Sequence, residues 1–197
     1  MRNEDLFNEL AQQGNGTFLA VEAARAGLPR SFLRDLVQRG VLERTSRGVY
    51  VNADRQEDEL YSMQQRAKKI VYSHETALFL HGLTDRTPFQ YTVTVPSGYK
   101  PSPSIISRSK VFYIKADLFL LGTQEQPSGF GHTIVTYDLE RTICDILRSR
   151  NMLDIQIVTE ALRNYASRKD IDLNRLHVYS ERFGVYKPAR QYLEVLL

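Results

Sequence analysis

The chain has 197 residues, of which 42% are hydrophobic and 25% charged, and its net charge is +3. That length suits one large domain or two modest ones, with apolar content enough for a packed core. The mildly basic balance permits a nucleic-acid partner without demanding one. One cysteine, Cys144, excludes an intramolecular disulfide, and its apolar neighbours Ile143, Ile146 and Leu147 mark it as a small core residue. No apolar run approaches the ~18 residues of a membrane span. Met1 to Leu10 lacks the apolar core of a signal peptide, so the expected location is the cytoplasm.

In chain order, Asn3 is placed to cap a first helix carrying Leu6, Phe7 and Leu10 on one face, with Glu4 and Asp5 in its first turn. Gly14-Asn15-Gly16 stops it. A second short helix is expected from near Leu19 to Ala26, ended by Gly27 in a tight turn. Pro29 suits the first position of a third helix, which runs to about Arg39 before Gly40. Leu42 to Arg44 and Val49 to Val51 alternate as two short strands joined by Thr45-Ser46-Arg47-Gly48. The polar stretch Asn52 to Glu59 predicts a domain boundary.

Beyond it, a helix is expected from about Glu57 to Lys69, a short strand at Ile70 to Tyr72, and a helix capped by Ser73 and stopped by Gly82. Strands are expected at Tyr91 to Val95, Val111 to Ile114 and Thr133 to Val135, and Leu118 to Leu121 fits either strand or turn. The tail reads as helices over Leu139 to Arg150, Asp154 to Ser167, Asp172 to Arg182 and after Pro188. The expected fold class is α+β. A winged helix-turn-helix over 1–54 precedes a mixed α/β domain over 55–197, with a small sheet and C-terminal helices.

Helix, turn, helix and a two-stranded wing point to DNA. In the third helix Phe32, Leu33, Leu36 and Val37 form one apolar stripe, leaving Arg30, Ser31, Arg34, Asp35 and Gln38 opposite. Arginine can pair bidentately with guanine and glutamine with adenine. The N-terminal half of the second helix of such a motif enters the major groove, which puts Arg30, Ser31 and Arg34 nearest the bases and Gln38 further along. The wing offers Arg44, Ser46 and Arg47 to phosphates or the minor groove, and Thr17 is expected to reach a phosphate from a helix N-terminus. Thr17 to Val51 holds six arginines and three acids, whereas residues 1–16 hold one arginine and three acids. The basic character is thus confined to the motif.

The run "GTFLAVEAARAGLPRSFLRDLVQRGVLERTSRGVYV" resembles the N-terminal domain of the AbiEi family of antitoxins from bacterial type IV toxin–antitoxin systems. "SHETALFLHGLTDRTPFQYTVTVP" and "YDLERTICDILR" resemble the rest of that family. The resemblance implies an antitoxin encoded beside a nucleotidyltransferase-like toxin and repressing its own operon at inverted repeats. It further implies a C-terminal domain that counters the toxin without a stable complex, and a role in abortive infection by phage. It points again to Arg30, Ser31, Arg34 and Arg47.

The second domain shows no catalytic set. His74, Glu75 and His81 lack the i, i+4 histidine spacing of a helical zinc site, so no metal is expected. Gly129-Phe130-Gly131 and Ser107 to Lys110 are not phosphate loops, and no cofactor is expected. Between Lys100 and Lys115 the chain carries Lys100, Arg108, Lys110 and Lys115 with no acid, beside Tyr99, Phe112 and Tyr113. Basic residues interleaved with aromatics can hold a nucleic-acid strand, although a solvated strand with buried rings reads the same way. The expected activity is therefore non-enzymatic, with duplex operator DNA and a toxin as partners and the protein a monomer or a dimer, including one formed on DNA. Two other readings stay open: a protein-interaction module with sequence-blind DNA affinity, and a nucleic-acid enzyme targeted by the winged helix.

Overall fold

The computed structural model describes residues 2–196, so Met1 and Leu197, the outermost residues of the two expected domains, lie outside the described residues. Eleven α-helices and eight strands are seen among them, with two small sheets, in a mixed α+β fold. The chain divides into two compact units. The first comprises 1–66 with 126–134, and the second comprises 67–125 with 135–197. The expected boundary falls after residue 54; the first unit continues twelve residues further, through a helix, and takes in a distant segment.

The first unit runs α1 (Arg2–Gln12), a 3-10 turn, β1 (Thr17–Leu19), α2 (Ala20–Arg25), α3 (Arg30–Gln38), β2 (Leu42–Ser46), β3 (Val49–Asn52) and α4 (Glu59–Arg66). Asn3 lies inside α1 rather than at its cap. Burial of Phe7 and Leu10 in the core anchors the helix instead, because packing of an apolar face outweighs a cap in a short helix. The three strands form an antiparallel sheet in the order β1-β3-β2, with Phe18 opposite Tyr50. The hairpin turn is tighter than the four residues expected: Arg47 and Gly48 make it, and Gly48 has φ +80°, where a side chain is strained. Leu28, Leu33, Leu36 and Leu42 close the core around Phe7 and Phe18. This order of helices and strands is a winged helix-turn-helix.

In the second unit, β4 (Val71–Tyr72) is followed by α5 (His74–Leu80), β5 (Tyr91–Pro96), α6 (Pro103–Ile106), β6 (Ser109–Ile114) and α7 (Ala116–Phe119). Strands β7 (Thr123–Pro127) and β8 (Thr133–Tyr137), which lead into and out of the 126–134 segment counted with the first unit, complete a five-stranded sheet of order β6-β5-β4-β8-β7. It is mixed: β4 runs antiparallel to β5 and parallel to β8, while β5 and β6 are parallel. The tail holds α8 (Leu139–Arg148), α9 (Ile155–Ala166), α10 (Leu173–Arg182) and α11 (Tyr186–Leu196). Residues 140–147 of α8 are all buried, with Ile143, Ile146 and Leu147 packed against Val158, Leu162 and Leu176.

An arginine side chain lies wholly inside this core, with its carboxylate partner. Arg141 Nε donates to Asp145 at 3.0 Å, and Nη1 donates to the carbonyls of Leu118 and Leu121 at 2.9 and 2.7 Å. The rings of Tyr137 and Phe183 sit 4.0 Å from the guanidinium carbon. Gly122, at φ +77°, leaves room for it, since a Cβ there would fall 2.8 Å from Arg141 Cβ. Arg141 and Asp145, four residues apart on α8, therefore form a pair inside the core. Cys144 is buried beside it, and burial pushes its thiol well above the ordinary value, which keeps it protonated and inert.

Candidate nucleic-acid interface

Helix α3 exists because Pro29, at φ −72°, enters it from the turn that Gly27 opens at φ +89°. Leu33 and Leu36 are buried, and Phe32 and Val37 pack against the same core. That fixes the rotation of the helix and turns Arg30, Ser31, Arg34, Asp35 and Gln38 to solvent. These exposed residues fall on two neighbouring stripes. Arg30 and Arg34, with Val37, line a concavity of about 450 Å³ whose other walls are Ala20 of α2 and Arg44, Arg47, Gly48 and Tyr50 of the wing. Ser31, Asp35 and Gln38 occupy the adjoining stripe, where Asp35 pairs with Arg39 at 3.3 Å.

Four arginines thus line one hollow that has no carboxylate in its lining. None of Arg30, Arg34, Arg44 and Arg47 forms an ion pair with a carboxylate among the described residues, and all four are exposed. Like charges brought together without counter-charge repel one another, so the arrangement favours an external anion. Tyr50 was not singled out from the sequence. Its place between the buried Val49 and Val51 was the available signal, because strand alternation sends it to the opposite face, where it stacks on Phe18 at 5.9 Å.

Two of the expected contact residues have their hydroxyls buried. Thr17 is not at a helix N-terminus: it lies in β1, is fully buried, and its hydroxyl accepts from the Asp58 amide at 3.0 Å. The hydroxyl of Ser46 is also buried, because the strand runs two residues further than expected and turns this side chain inward.

Thr17 belongs to a polar network that braces the first helix of the motif. Glu22 in α2 accepts from the Leu19 amide at 2.7 Å and from the Tyr61 hydroxyl. Tyr61 stacks on His132, with ring centroids 3.9 Å apart. His132 Nδ1 lies 2.8 Å from the buried Asp58 carboxylate, which also accepts from Ser128 and from the Tyr61 amide. Burial pushes the Asp58 carboxyl up, but the hydrogen bonds from His132, Ser128 and Tyr61 outweigh it and hold the group below its ordinary value. The 126–134 segment is tied in this way to the helix-turn-helix from which it is distant in sequence.

In the second unit, Lys100, Arg108 and Lys115 are exposed, and Lys110 is half-buried with Nζ 3.2 Å from the Met152 carbonyl. Phe112 is not available to a ligand: it is buried and stacks on His74, centroids 3.6 Å apart. His74, at φ +46°, is itself fully buried between the hydroxyls of Ser73 and Ser149, and burial lowers its pKa well below the ordinary value. Among the described residues no group of three or more His, Cys, Asp or Glu is arranged to hold a metal ion, and no helix is long and apolar enough to cross a membrane.

Comparison with known proteins gives a family match over the first part of the chain. Residues 4–53 match the family model of AbiEi antitoxin transcriptional regulators. The matched segment spans α1 to the wing and contains all four converging arginines. The AbiEi resemblance of the sequence is borne out there. No curated protein matches the chain. Among solved structures, the crystal structure of the RV2827C protein from Mycobacterium tuberculosis is similar, with a TM-score of 0.63 at 16% identity, covering 95% of this chain and 74% of that one. At that identity the likeness is one of fold, and it extends over both compact units. The matched segment is thus similar to a family of transcriptional regulators.

Proposed function

We propose that the protein is an antitoxin that represses its own toxin–antitoxin operon, binding duplex operator DNA at inverted repeats through the winged helix. The observation that carries this reading is the convergence of Arg30, Arg34, Arg44 and Arg47, all without carboxylate partners, on the hollow between α3 and the wing. Such a quartet supplies phosphate neutralisation from two elements at once, and phosphate contacts fix register and provide much of the affinity. On this reading Arg30 and Arg34 reach base edges as well as phosphates. Ser31 and Gln38 belong to a stripe that includes a carboxylate, which phosphates repel, so this stripe suits base edges.

The AbiEi match and the likeness of the later motifs support assigning the second unit the countering of a nucleotidyltransferase-like toxin, without a stable complex, in defence against phage. The test of the DNA reading is a titration of the promoter fragment at several salt concentrations. The expected result is a discrete complex whose affinity falls steeply with salt, and whose salt slope shrinks by about 0.9 for each arginine of the quartet that contacts a phosphate and is removed. Equal affinity for random DNA, together with co-purification of a protein partner, would replace this reading with that of an interaction module.

A further inference from the structure

The second unit contains a basic edge that the winged helix does not explain. Strand β6 is an outer strand of the five-stranded sheet, paired on one side with β5. Residues 97–115 include four cations and no acid. Arg108 and Lys110 stand at the start of β6, and Lys115 follows its end. The loop after β5 returns to that end, where the Ser97 amide donates to the Ile114 carbonyl at 2.7 Å, and so brings Tyr99 and Lys100 near Lys115. Lys69 joins them there, with Nζ 5.8 Å from the centre of the Tyr99 ring. At the other end Arg150 directs its guanidinium to the Leu147 carbonyl rather than to an acid.

None of Lys69, Lys100, Arg108, Lys110 and Lys115 forms an ion pair with a carboxylate among the described residues. Elsewhere in the same unit Arg86, Arg168 and Arg175 face Glu160, Asp170 and Asp172. A mixed-charge surface therefore gives way, along one sheet edge, to a run of unmatched positive charge. At about 3.3 Å per residue the six residues of β6 span about 20 Å, the reach of a few nucleotides. Tyr113 on this strand is 53% exposed, and Tyr99 is half-exposed beside its lysines. Phosphate-matching cations interleaved with accessible aromatic rings are the means by which a single strand is held without sequence preference. An added peptide strand would instead call for alternating apolar pockets, and here Phe112 and Ile114 are already filled by their own core.

We propose that the β6 edge, with Lys100, Arg108, Lys110 and Lys115 along it and Tyr99 and Tyr113 beside it, is a second nucleic-acid contact that takes single-stranded RNA or DNA. This site does not depend on the winged helix. The test uses the full chain and labelled 20-nucleotide oligo-U and oligo-dT, read by fluorescence anisotropy at low and high salt, with the promoter duplex and labelled poly-glutamate in parallel. Two surface variants are compared with the parent: R30A/R34A/R44A/R47A in the wing region, and K100A/R108A/K115A at the edge, each checked for an unchanged melting curve.

The expected result is that the edge variant loses at least tenfold in affinity for the oligonucleotides and keeps promoter binding, while the arginine variant keeps oligonucleotide binding. Tyr113→Ala should weaken the oligonucleotides further with little change in salt slope. Equal binding by parent and edge variant overturns the proposal, as does loss of oligonucleotide binding in the arginine variant alone. Poly-glutamate bound as tightly as the oligonucleotides would assign the edge to an acidic protein partner instead. If the promoter arm fails while the oligonucleotide arm behaves as stated, the operator reading falls and this one stands.

Discussion

The arginines of the winged helix and the arginine at the heart of the second unit make opposite use of the same side chain. Arg30, Arg34, Arg44 and Arg47 are exposed, lack carboxylates and converge on a hollow. Arg141 is fully buried, bonded to Asp145 and to two carbonyls, and clasped between two rings. The first set is arranged for a charge that comes from outside, whereas the second is neutralised from within. The role of an arginine is therefore read from its partners rather than from its presence, and substitutions at the two places should be felt in different measurements.

The largest effect is expected at Arg141. Arg141→Ala strips the nearer cation from a buried carboxylate, leaving it only Arg148 at 3.9 Å, and should cost about 3–5 kcal/mol of stability, read by urea denaturation. A loss under about 1 kcal/mol would mean that Asp145 finds another partner and that the contrast is overdrawn. Asp58→Asn comes next, at about 1.5–3 kcal/mol, because a charged acceptor of several hydrogen bonds is neutralised. Here the sign with pH is fixed. The folded carboxyl lies below the ordinary value of 3.8, so its contribution is fully present above that value and fades as the pH falls through the lower, folded one. Parent and variant should thus converge in stability under strong acid, and a gap that widened on acidification would refute the network.

At the proposed DNA face, Arg34→Ala should leave the melting temperature nearly unchanged and weaken promoter binding by about 1–3 kcal/mol if the side chain reads a base. Unchanged affinity and sequence preference would show that the wrong face has been identified. Smallest is Gly48→Ala, whose Cβ meets nothing within 4 Å but whose φ of +80° is strained for a side chain. A cost of about 1–2 kcal/mol is expected in thermal melts, with some loss of DNA affinity as the wing shifts.

The two regions also differ in how far the sequence disclosed them. The wing and α3 follow from local periodicity, as do the tail helices, since burial of Leu33, Leu36, Ile143 and Ile146 repeats at helical spacing. Strand β1 escaped notice because three residues carry too little alternation, and it converts Thr17 from an expected phosphate donor into a buried acceptor. Strand β7, Thr-Gln-Glu-Gln-Pro, is polar throughout and gives no apolar pattern to detect. The single-turn helices α6 and α7 are too short for any period. The pairing of Asp58 with His132 joins residues 74 apart, which no local pattern encodes. The arginines of the candidate interface were legible one by one, but their convergence depended on the wing folding back beside α3.

The most direct test of the central claim is a footprint on the DNA upstream of the gene, comparing the wild type with an R30A/R34A variant of equal melting temperature. The account predicts a discrete protected repeat that the variant loses. Protection no different from that on random DNA, or a footprint that survives both substitutions, would contradict it.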